Sequence, residues 1–254
     1  MTKKLNCLFD MDGTLTPARE KMNEDMLESL RALDKKFNIG IVSGSGMSYI
    51  KEQCQELLQS EIDFEIYPCN GTSKFSKKGN KISLLEENNM IEKIGTKNFK
   101  ELSESILRKQ LWLIKNFKNE FQLTGTYIQY RDSMINWCMC GRDSGKKERE
   151  AFSRFDKENG IRKILVSMMK NVDHDFVNHL KFAIGGSTSI DIYPTGWDKT
   201  FCLKNYDEDK TYFIGDACEP GQNDFEIYKK LSPRSYKVDN PKETIEIINK
   251  LLEL

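Results

Sequence analysis

The chain has 254 residues, enough for one large domain or two modest ones. Its 39 Lys and Arg residues balance its 39 Asp and Glu residues, so charge gives no reason to expect nucleic acid or an anionic membrane as a partner. No apolar run approaches the length that spans a bilayer, and the N-terminal residues do not resemble a signal peptide. Seven cysteines are scattered without a C-x-x-C pair, which predicts reduced thiols and a cytoplasmic location.

The first third of the chain alternates predicted strands and helices. An apolar strand at Leu5–Phe9 precedes a helix over 24–36, for which Asn23 is the candidate N-cap. The next predicted elements are a strand, a helix and a strand, at 39–42, 47–58 and 62–67. The pattern returns near the end, with a strand at 211–214 and helices over 223–231 and 242–252. This alternation is typical of a parallel sheet with helices on its faces.

The middle of the chain has a different character. A charged helical stretch at 97–117 is followed by a β-rich segment at 125–140, in which Arg131-Asp132-Ser133 suits a hairpin turn. In a second charged helical segment, 146–170, Asn159-Gly160 predicts a break. Residues 181–193 are again β-like, with Gly185-Gly186 as the turn.

The prediction is therefore an α/β protein with a Rossmann-like core on a parallel sheet and an inserted α+β cap domain on an antiparallel sheet. The predicted boundaries are 1–84 for the first part of the core, 85–195 for the cap and 196–254 for the second part of the core.

The first strand ends in two carboxylates one residue apart, in the sequence Asp10-Met11-Asp12-Gly13-Thr14. Side chains two residues apart on a strand point the same way. At the strand tip, Asp10 can act as a nucleophile while Asp12 acts as an acid or base on the same substrate. D-x-D-G-T-L directly after a buried strand is similar to the aspartyl-phosphate signature of the haloacid dehalogenase (HAD) superfamily.

Three further candidates follow predicted strands of the core. Ser43-Gly44-Ser45 offers hydroxyl and N–H groups to phosphoryl oxygens. Lys199, at the return to the core, can neutralise charge on a phosphoryl group and pair with the nucleophile. Asp216 ends the strand at 211–214, and with Asp10 and the backbone carbonyl of Asp12 it predicts a Mg²⁺ site.

The inserted segment contributes cationic and polar candidates. Arg131, Arg142 and Arg149 would form a phosphate-binding patch if their guanidinium groups converge, although arginines in a charged module are commonly solvated or salt-bridged. Ser189 and Asp191 lie two apart on a predicted strand and so share a face. An aspartate there can accept hydrogen bonds from sugar hydroxyls, although composition alone favours an ordinary exposed strand face.

Several long segments together resemble the eukaryotic-type phosphomannomutases of the HAD superfamily, from about Asn6 to Tyr228. The segments that carry the resemblance are residues 8–19, Asn70-Gly71-Thr72, residues 125–128 with Arg131, Gly141-Arg142 with Glu148-Arg149, residues 185–191, residues 196–199, and Gly215-Asp216 with residues 220–227.

The resemblance implies a set of roles. Asp10 would be the nucleophile and Asp12 the general acid and base, with Lys199 as a further catalytic residue. Asp10, Asp12 and Asp216 would hold Mg²⁺. The sugar-phosphate contacts would be Arg19, Ser45, Arg131, Arg142, Arg149, Ser189 and Asp191. It also implies a mobile cap and a homodimer formed through the caps.

Two departures from the family pattern bear on the site. Gln222 stands where the family usually has a second glycine, and it would strain the loop if that position requires a positive φ. Ser43-Gly44-Ser45 stands where Gly-Gly-Ser is common, which leaves open which serine binds phosphate, although Ser45 matches by register.

The implied function is interconversion of mannose 6-phosphate and mannose 1-phosphate through an aspartyl-phosphate and a hexose bisphosphate. It would supply GDP-mannose synthesis, with a hexose 1,6-bisphosphate as activator. A HAD-type sugar-phosphate phosphatase is the alternative, and a binding protein on a decayed enzyme scaffold is a third reading. The sequence leaves open whether mannose or glucose phosphates are preferred.

Overall fold

The computed structural model describes residues 5–172 and 175–254. The chain forms two compact units. The first unit comprises the described residues up to Asn88 together with Gly196–Leu254, and the second comprises Asn89–Thr195.

The elements are named here in chain order. The strands are β1 (Leu5–Phe9), β2 (Phe37–Val42), β3 (Phe64–Tyr67), β4 (Ser73–Lys78), β5 (Lys81–Glu87), β6 (Ile128–Tyr130), β7 (Ile135–Cys138), β8 (Leu180–Gly185), β9 (Ser189–Pro194), β10 (Thr211–Gly215) and β11 (Ser235–Lys237). The helices are α1 (Glu24–Asp34), α2 (Met47–Gln53), α3 (Gln55–Gln59), α4 (Met90–Ile94), α5 (Thr96–Phe117), α6 (Lys146–Asn159), α7 (Ile161–Lys170), α8 (Phe225–Leu231) and α9 (Pro241–Leu252). Short 3-10 helices lie at Cys69–Gly71, Asp175–His179, Lys199–Asn205 and Glu208–Lys210.

Within the described residues, the first unit contains a seven-stranded sheet of order β11-β10-β1-β2-β3-β4-β5. The first five of these strands pair in parallel, while β4 and β5 pair antiparallel. Successive side chains of β1 enter different apolar layers: Cys7 and Phe9 pack in one cluster and Leu8 in another. Burial on both faces explains why β1 is a continuous apolar run rather than an alternating one.

The predicted first helix is confirmed, together with its cap. The Asn23 side chain accepts a hydrogen bond from the N–H of Met26 at 2.9 Å and so satisfies one donor of the first turn. The helix ends at Asp34, two residues before the predicted end. The predicted helix over 47–58 is interrupted at Cys54, where φ is −107° and ψ is 30°, and it divides into α2 and α3.

The antiparallel hairpin of β4 and β5 is an addition to the prediction. Its strands carry many lysines and glutamates, so the alternation of apolar and polar residues is weak. The tight turn is possible because Gly79 adopts a φ of 51°. Its N–H donates to Asp63 Oδ1 at 2.7 Å, which ties the turn to the segment before β3.

In the second unit, the described strands form an antiparallel sheet of order β6-β7-β9-β8. The predicted turn at 131–133 connects β6 to β7, with Asp132 at a φ of 54° and the N–H of Arg131 bonded to the carbonyl of Met134. The predicted break at Gly160 is also confirmed, since its φ of 64° ends α6 and starts α7 in a new direction. The predicted fold class is confirmed, since the first unit has a mainly parallel sheet and the second unit has a separate antiparallel sheet.

All seven cysteines are buried thiols that form no disulfide, in agreement with the predicted reduced state. Across the described part of the chain, no helix has the length and apolar content that crossing a bilayer requires.

The loop that follows β1 is fixed by long-range hydrogen bonds. The Thr244 hydroxyl on α9 donates to the carbonyl of Thr14 at 2.9 Å, and both residues are fully buried. The Thr16 hydroxyl donates to Gln53 Oε1 on α2 at 3.1 Å. The C-terminal helix therefore holds the turn that directs the chain away from Asp10 and Asp12.

We expect Thr244→Val to lower the free energy of unfolding by about 1–3 kcal/mol, because it keeps the shape but leaves the Thr14 carbonyl buried without its donor. Chemical denaturation measures the change. Thr244→Ser, which keeps the hydroxyl, is the matched control and should lose less. Equal losses in the two variants would mean that the hydrogen bond contributes nothing.

Candidate functional site

The two acidic motifs of the first unit meet at one edge of the parallel sheet. β1, β2 and β10 run in the same direction, so their carboxyl ends share that edge. Asp10 follows β1 and is held there by a hydrogen bond from its N–H to the carbonyl of Ile214, at 2.9 Å. Asp216 follows β10. In open α/β sheets this edge is where ligands bind.

A third carboxylate joins them. Among the described residues, oxygens of Asp10, Asp216 and Asp224 lie within 4.8 Å of one another. Asp224 is fully buried, and its Oδ2 accepts a hydrogen bond from the N–H of Ala217 at 3.1 Å. Asp224 lies within the segment 220–227 that carries the family resemblance, but the sequence assigns it no role. Its position eight residues after Asp216, in the same strand-end loop, was the available signal.

Lys199 stands between two of these acids. Its ammonium group is fully buried and donates to the carboxylates of both Asp10 and Asp224. Burial opposes the charged ammonium, but the two carboxylates outweigh burial and raise the pKa of Lys199. Lys199 begins a short 3-10 helix whose first turn is capped by the Asp198 side chain. The predicted partnership of Lys199 with Asp10 is therefore present as a direct ion pair.

The negative charges of the carboxylates repel one another, and this repulsion adds to burial in raising the pKa of Asp10 and of Asp216. Burial raises the pKa of Asp10 well above its usual range; Lys199 opposes this rise, while Asp224 and Asp216 add to it. Burial and then the charge of Asp224 raise the pKa of Asp216 to about 6. The negative charge concentrated here exceeds what one lysine neutralises, which favours binding of an additional cation.

The carboxylates fit together only because two neighbours lack side chains. A Cβ on Gly13 would lie 2.5 Å from Asp216 Oδ2, and a Cβ on Gly215 would lie 2.8 Å from Asp224 Oδ2. Gly13 also has a φ of 84°, which disfavours other residues. The glycine of the D-x-D-G-T motif thus makes room for the acid that follows β10.

These residues fit a magnesium ion. Carboxylate oxygens are the ligands that this hard cation prefers. Asp10 and Asp216, two of the predicted ligands, lie in the cluster, and Asp224 adds a third carboxylate. The Asp12 side chain is not part of the cluster that the described residues form. The prediction for Asp12 rested on its backbone carbonyl.

Asp12 is instead connected to Arg19. Its Oδ1 accepts a hydrogen bond from the backbone N–H of Arg19 at 3.0 Å, and Arg19 is exposed with a φ of 65°. A non-glycine residue in this conformation is uncommon and requires support from its surroundings. The hydrogen bond from its own N–H to Asp12 provides such support and keeps Arg19 beside the D-x-D motif.

The two serines after β2 are in different situations. Ser43 is buried, and its hydroxyl oxygen accepts the N–H of Ser45 at 3.0 Å, so it shapes the turn. Ser45 is partly exposed. The turn is held from the end of β3, because the N–H of Asn70 donates to the carbonyl of Ser43 and that of Cys69 to the carbonyl of Ser45.

Gln222 does not strain its loop. The positive φ falls on Gly221, at 89°, and Gln222 is outside the left-handed region. The Gln222 side chain accepts a hydrogen bond from the N–H of Glu219 at 2.8 Å, and its own N–H donates to the carbonyl of Glu219 at 2.9 Å. Glutamine therefore closes the loop that connects Asp216 to Asp224.

In the second unit, several predicted residues converge on one face of the sheet. Asp191 accepts a hydrogen bond from Asn136 Nδ2 at 2.6 Å, and Asn136 Oδ1 accepts one from Arg142 Nη1 at 2.8 Å. The Ser189 hydroxyl is 3.5 Å from the same Oδ1. Burial raises the pKa of Asp191, while the charge of Arg131 and the Asn136 hydrogen bond oppose that rise. Asn136 was not among the predicted residues.

Arg149 is more enclosed than the prediction implied. It is buried, with Nε donating to the carbonyl of Ser144, Nη1 to the Thr188 hydroxyl and Nη2 to the carbonyl of Arg142. It therefore supports the backbone of Arg142. Arg131 lies at the β6–β7 turn, where its Nε donates to Gln129 Oε1 at 3.0 Å.

One buried arginine was not singled out in the sequence. Arg162 on α7 forms an ion pair with Asp156 at 2.7 Å and donates to the carbonyls of Gly185, Gly186 and Ser189. It fixes the turn between β8 and β9, and its charge reaches Asp191.

The fold and the strand-end carboxylates define a HAD-like α/β protein. Among solved structures, the chain is similar to the IMP-bound, N-terminally truncated IMP-nucleotidase of Plasmodium falciparum, with a TM-score of 0.68 and 18% identity over 99% of this chain and 69% of that one. It is also similar to a trehalose-6-phosphate phosphatase related protein, with a TM-score of 0.54 and 14% identity over 98% of this chain and 97% of that one. Such low identities bear on the fold alone.

The family follows from sequence. The model of the eukaryotic phosphomannomutase family matches residues 26–254. Phosphomannomutase 2 of Dictyostelium discoideum is 36% identical over 252 residues, which cover 97% of this chain and 96% of that protein. The phosphomannomutase of Saccharomyces cerevisiae is 34% identical over 97% of this chain and 94% of that protein. The chain belongs to the eukaryotic phosphomannomutase family.

The crowding at Gly13 predicts that Gly13→Ala weakens Mg²⁺ binding by about tenfold or more, because the new Cβ displaces the Asp216 carboxylate. Isothermal titration calorimetry with MgCl₂ measures the affinity. Gly46→Ala is the control, since a Cβ there would meet nothing within 4 Å and its φ is −74°. Wild-type affinity in Gly13→Ala would show that Asp216 holds no metal.

Proposed function

We propose that the protein is a phosphomannomutase that interconverts mannose 6-phosphate and mannose 1-phosphate. The observation that carries the proposal is the buried ion pair of Asp10 and Lys199 beside two further acids at the tip of β1. Membership of the family supports the same reaction.

In the proposed reaction, an Asp10 carboxylate oxygen attacks phosphorus and the bond from phosphorus to the sugar oxygen breaks. Asp12 donates a proton to the departing sugar oxygen. In the opposite transfer, Asp12 removes the proton of the sugar hydroxyl that attacks the aspartyl-phosphate, the bond from phosphorus to Asp10 breaks, and the Asp10 carboxylate is regenerated. A resident phosphate on Asp10 thus passes to the monophosphate. The resulting hexose 1,6-bisphosphate turns around and returns its other phosphate to Asp10. A bisphosphate of this kind would also serve as the activator that charges Asp10.

The residues around Asp10 have distinct tasks in this proposal. Lys199 holds the Asp10 carboxylate in place and offsets the negative charge of Asp224. Ser45 and Arg19 bind phosphoryl oxygens. Asp10, Asp12 and Asp216 hold Mg²⁺, with Asp224 beside them. When bound, the ion supplies positive charge that stabilises the phosphoryl oxygens.

Residues of the second unit bind the phosphate that is not reacting and recognise the sugar by its hydroxyl groups. Arg131, Arg142 and Arg149 are the phosphate contacts, with Arg149 also supporting the Arg142 backbone. The Ser189 hydroxyl exchanges hydrogen bonds with sugar hydroxyls, and the Asp191 carboxylate accepts hydrogen bonds from them. Binding energy from the remote phosphate then contributes to the reaction at Asp10, and exclusion of water prevents hydrolysis of the aspartyl-phosphate.

The product would supply GDP-mannose synthesis in the cytoplasm. The protein would act as a homodimer formed through the second unit.

A coupled assay tests the function. Mannose 1-phosphate and glucose 1-phosphate are supplied separately with Mg²⁺, with and without a hexose 1,6-bisphosphate, and release of inorganic phosphate is followed in parallel. Isomerisation of mannose 1-phosphate that depends on the bisphosphate supports the mutase. Phosphate release without isomerisation would make the protein a sugar-phosphate phosphatase instead.

Asp10→Asn should lower mutase turnover by about 10³-fold or more, because the amide cannot form the phosphoryl ester. Steady-state kinetics with saturating bisphosphate measure the loss, and circular dichroism establishes that the variant is folded. Near-normal turnover would contradict Asp10 as the nucleophile.

Arg142→Ala should raise the KM for mannose 1-phosphate about 10- to 100-fold with a smaller effect on kcat, because a charge-assisted hydrogen bond contributes about 1.5–3 kcal/mol. Substrate-saturation curves separate the two parameters. Arg154→Ala, which removes an exposed arginine of α6, is the control and should leave both unchanged. An unchanged KM in Arg142→Ala would remove Arg142 from the phosphate site.

A further inference from the structure

Two of the residues assigned above to substrate binding share a neighbour that has no assigned role. Asn136 lies within β7, and the strand register places it opposite Asp191 on β9. It is only 4% exposed, so its carboxamide must find its hydrogen-bond partners inside the protein.

The carboxamide of Asn136 makes a different bond on each side. Its Nδ2 donates to Asp191 Oδ1 at 2.6 Å, and its Oδ1 accepts from Arg142 Nη1 at 2.8 Å. The amide therefore connects Arg142, assigned above to phosphate binding, with Asp191, assigned above to the sugar hydroxyls.

Only a few side chains can form this bridge. A guanidinium group can only donate and an ionised carboxylate can only accept, so the group between Arg142 and Asp191 must accept at one atom and donate at another. The polarity of both partners also fixes which way the amide is turned. A carboxylate at position 136 would repel Asp191, and an apolar side chain would leave both partners without their bonds.

The surroundings hold the bridge firmly. Arg149 Nη2 donates to the carbonyl of Arg142 at 2.7 Å, which fixes the backbone from which Arg142 extends. A Cβ on Gly185 would lie 2.4 Å from Asp191 Oδ2, so the absence of a side chain there leaves space for the Asp191 carboxylate. The backbone of Arg142 is thus held in place, and the Asp191 carboxylate has the space that it needs beside the amide.

We propose that Asn136 is a positioning residue that sets the orientations of Arg142 and Asp191 together. Asn136 thereby links phosphate binding by Arg142 to recognition of the sugar hydroxyls by Asp191. This inference rests on the proposed function, since it takes the ligand to be a hexose phosphate.

The test compares binding of mannose 6-phosphate to the full-length Mg²⁺-loaded protein by calorimetry. Asn136→Leu keeps the approximate volume but removes both hydrogen bonds, and the Kd should rise about tenfold or more. Steady-state kinetics should show the same rise in KM with a smaller change in kcat.

Gln110→Met is the matched control. Gln110 is also a buried amide of the second unit that bridges two groups, accepting from Trp137 Nε1 and donating to the carbonyl of Met139. Its loss should lower the melting temperature as much as Asn136→Leu does while leaving the Kd within about twofold.

Asn136→Asp provides a second variant of almost unchanged shape, in case Asn136→Leu fails to fold. It keeps the acceptor for Arg142 but places a like charge beside Asp191, so the Kd should again rise. Its melting temperature shows whether the fold is retained.

A double-mutant cycle shows whether Asn136 acts through Arg142. The Kd of Asn136→Leu combined with Arg142→Ala should exceed that of Arg142→Ala by less than the tenfold of Asn136→Leu alone.

Three outcomes would overturn the inference: a wild-type Kd in the Asn136 variants, independent multiplication of the two effects, or an equal loss of binding in Gln110→Met. A wild-type protein that binds no hexose phosphate would instead refute the proposed function.

Discussion

The first unit depends on the ion pairs of one buried lysine. Asp10, Asp216 and Asp224 bring three carboxylates together where water is largely excluded, and Lys199 donates to two of them. Removing one partner from a buried pair costs about 3–5 kcal/mol, because the remaining charge is left uncompensated. The lysine also joins distant parts of the chain, since Asp10 precedes the inserted second unit while Lys199 follows it closely. The same ion pairs therefore balance the charges at the site and hold together two segments of the first unit that are far apart in the sequence.

The second unit solves a related problem with a neutral group. The charges of Arg131, Arg142 and Arg162 all act on the buried Asp191 carboxylate and oppose the rise of its pKa. The Asn136 amide assigns each ion a direction, because it accepts from Arg142 and donates to Asp191. In the first unit a cation lies between anions. In the second, a carboxamide lies between ions of opposite charge.

The features that the sequence predicted correctly are those that depend on residues close together in the chain. The apolar run of β1, the Asn23 cap of α1 and the break at Gly160 each depend on residues within a few positions. The β4–β5 hairpin was not predicted, because lysines and glutamates obscure its alternation. Asp224 and Asn136 were not assigned for a different reason. Asp224 pairs with Lys199, which is 25 residues away, and Asn136 connects Arg142 to Asp191, which is 55 residues away, so spacing along the chain does not by itself give these contacts. The role of such a residue follows from its contacts in the folded chain, and a short sequence motif does not contain that information.

The departure from the family pattern at Gln222 shows which contacts close the loop between Asp216 and Asp224. A second glycine would be required if both positions adopted a positive φ, but only Gly221 does. Gln222 then contributes a side-chain hydrogen bond to the N–H of Glu219 that glycine cannot make. What the loop must preserve is the distance between Asp216 and Asp224, and the fixed points for that are Gly13, Gly215 and the N–H of Ala217. Gln222 therefore determines how the loop is closed, while the contacts at those fixed points hold the two carboxylates.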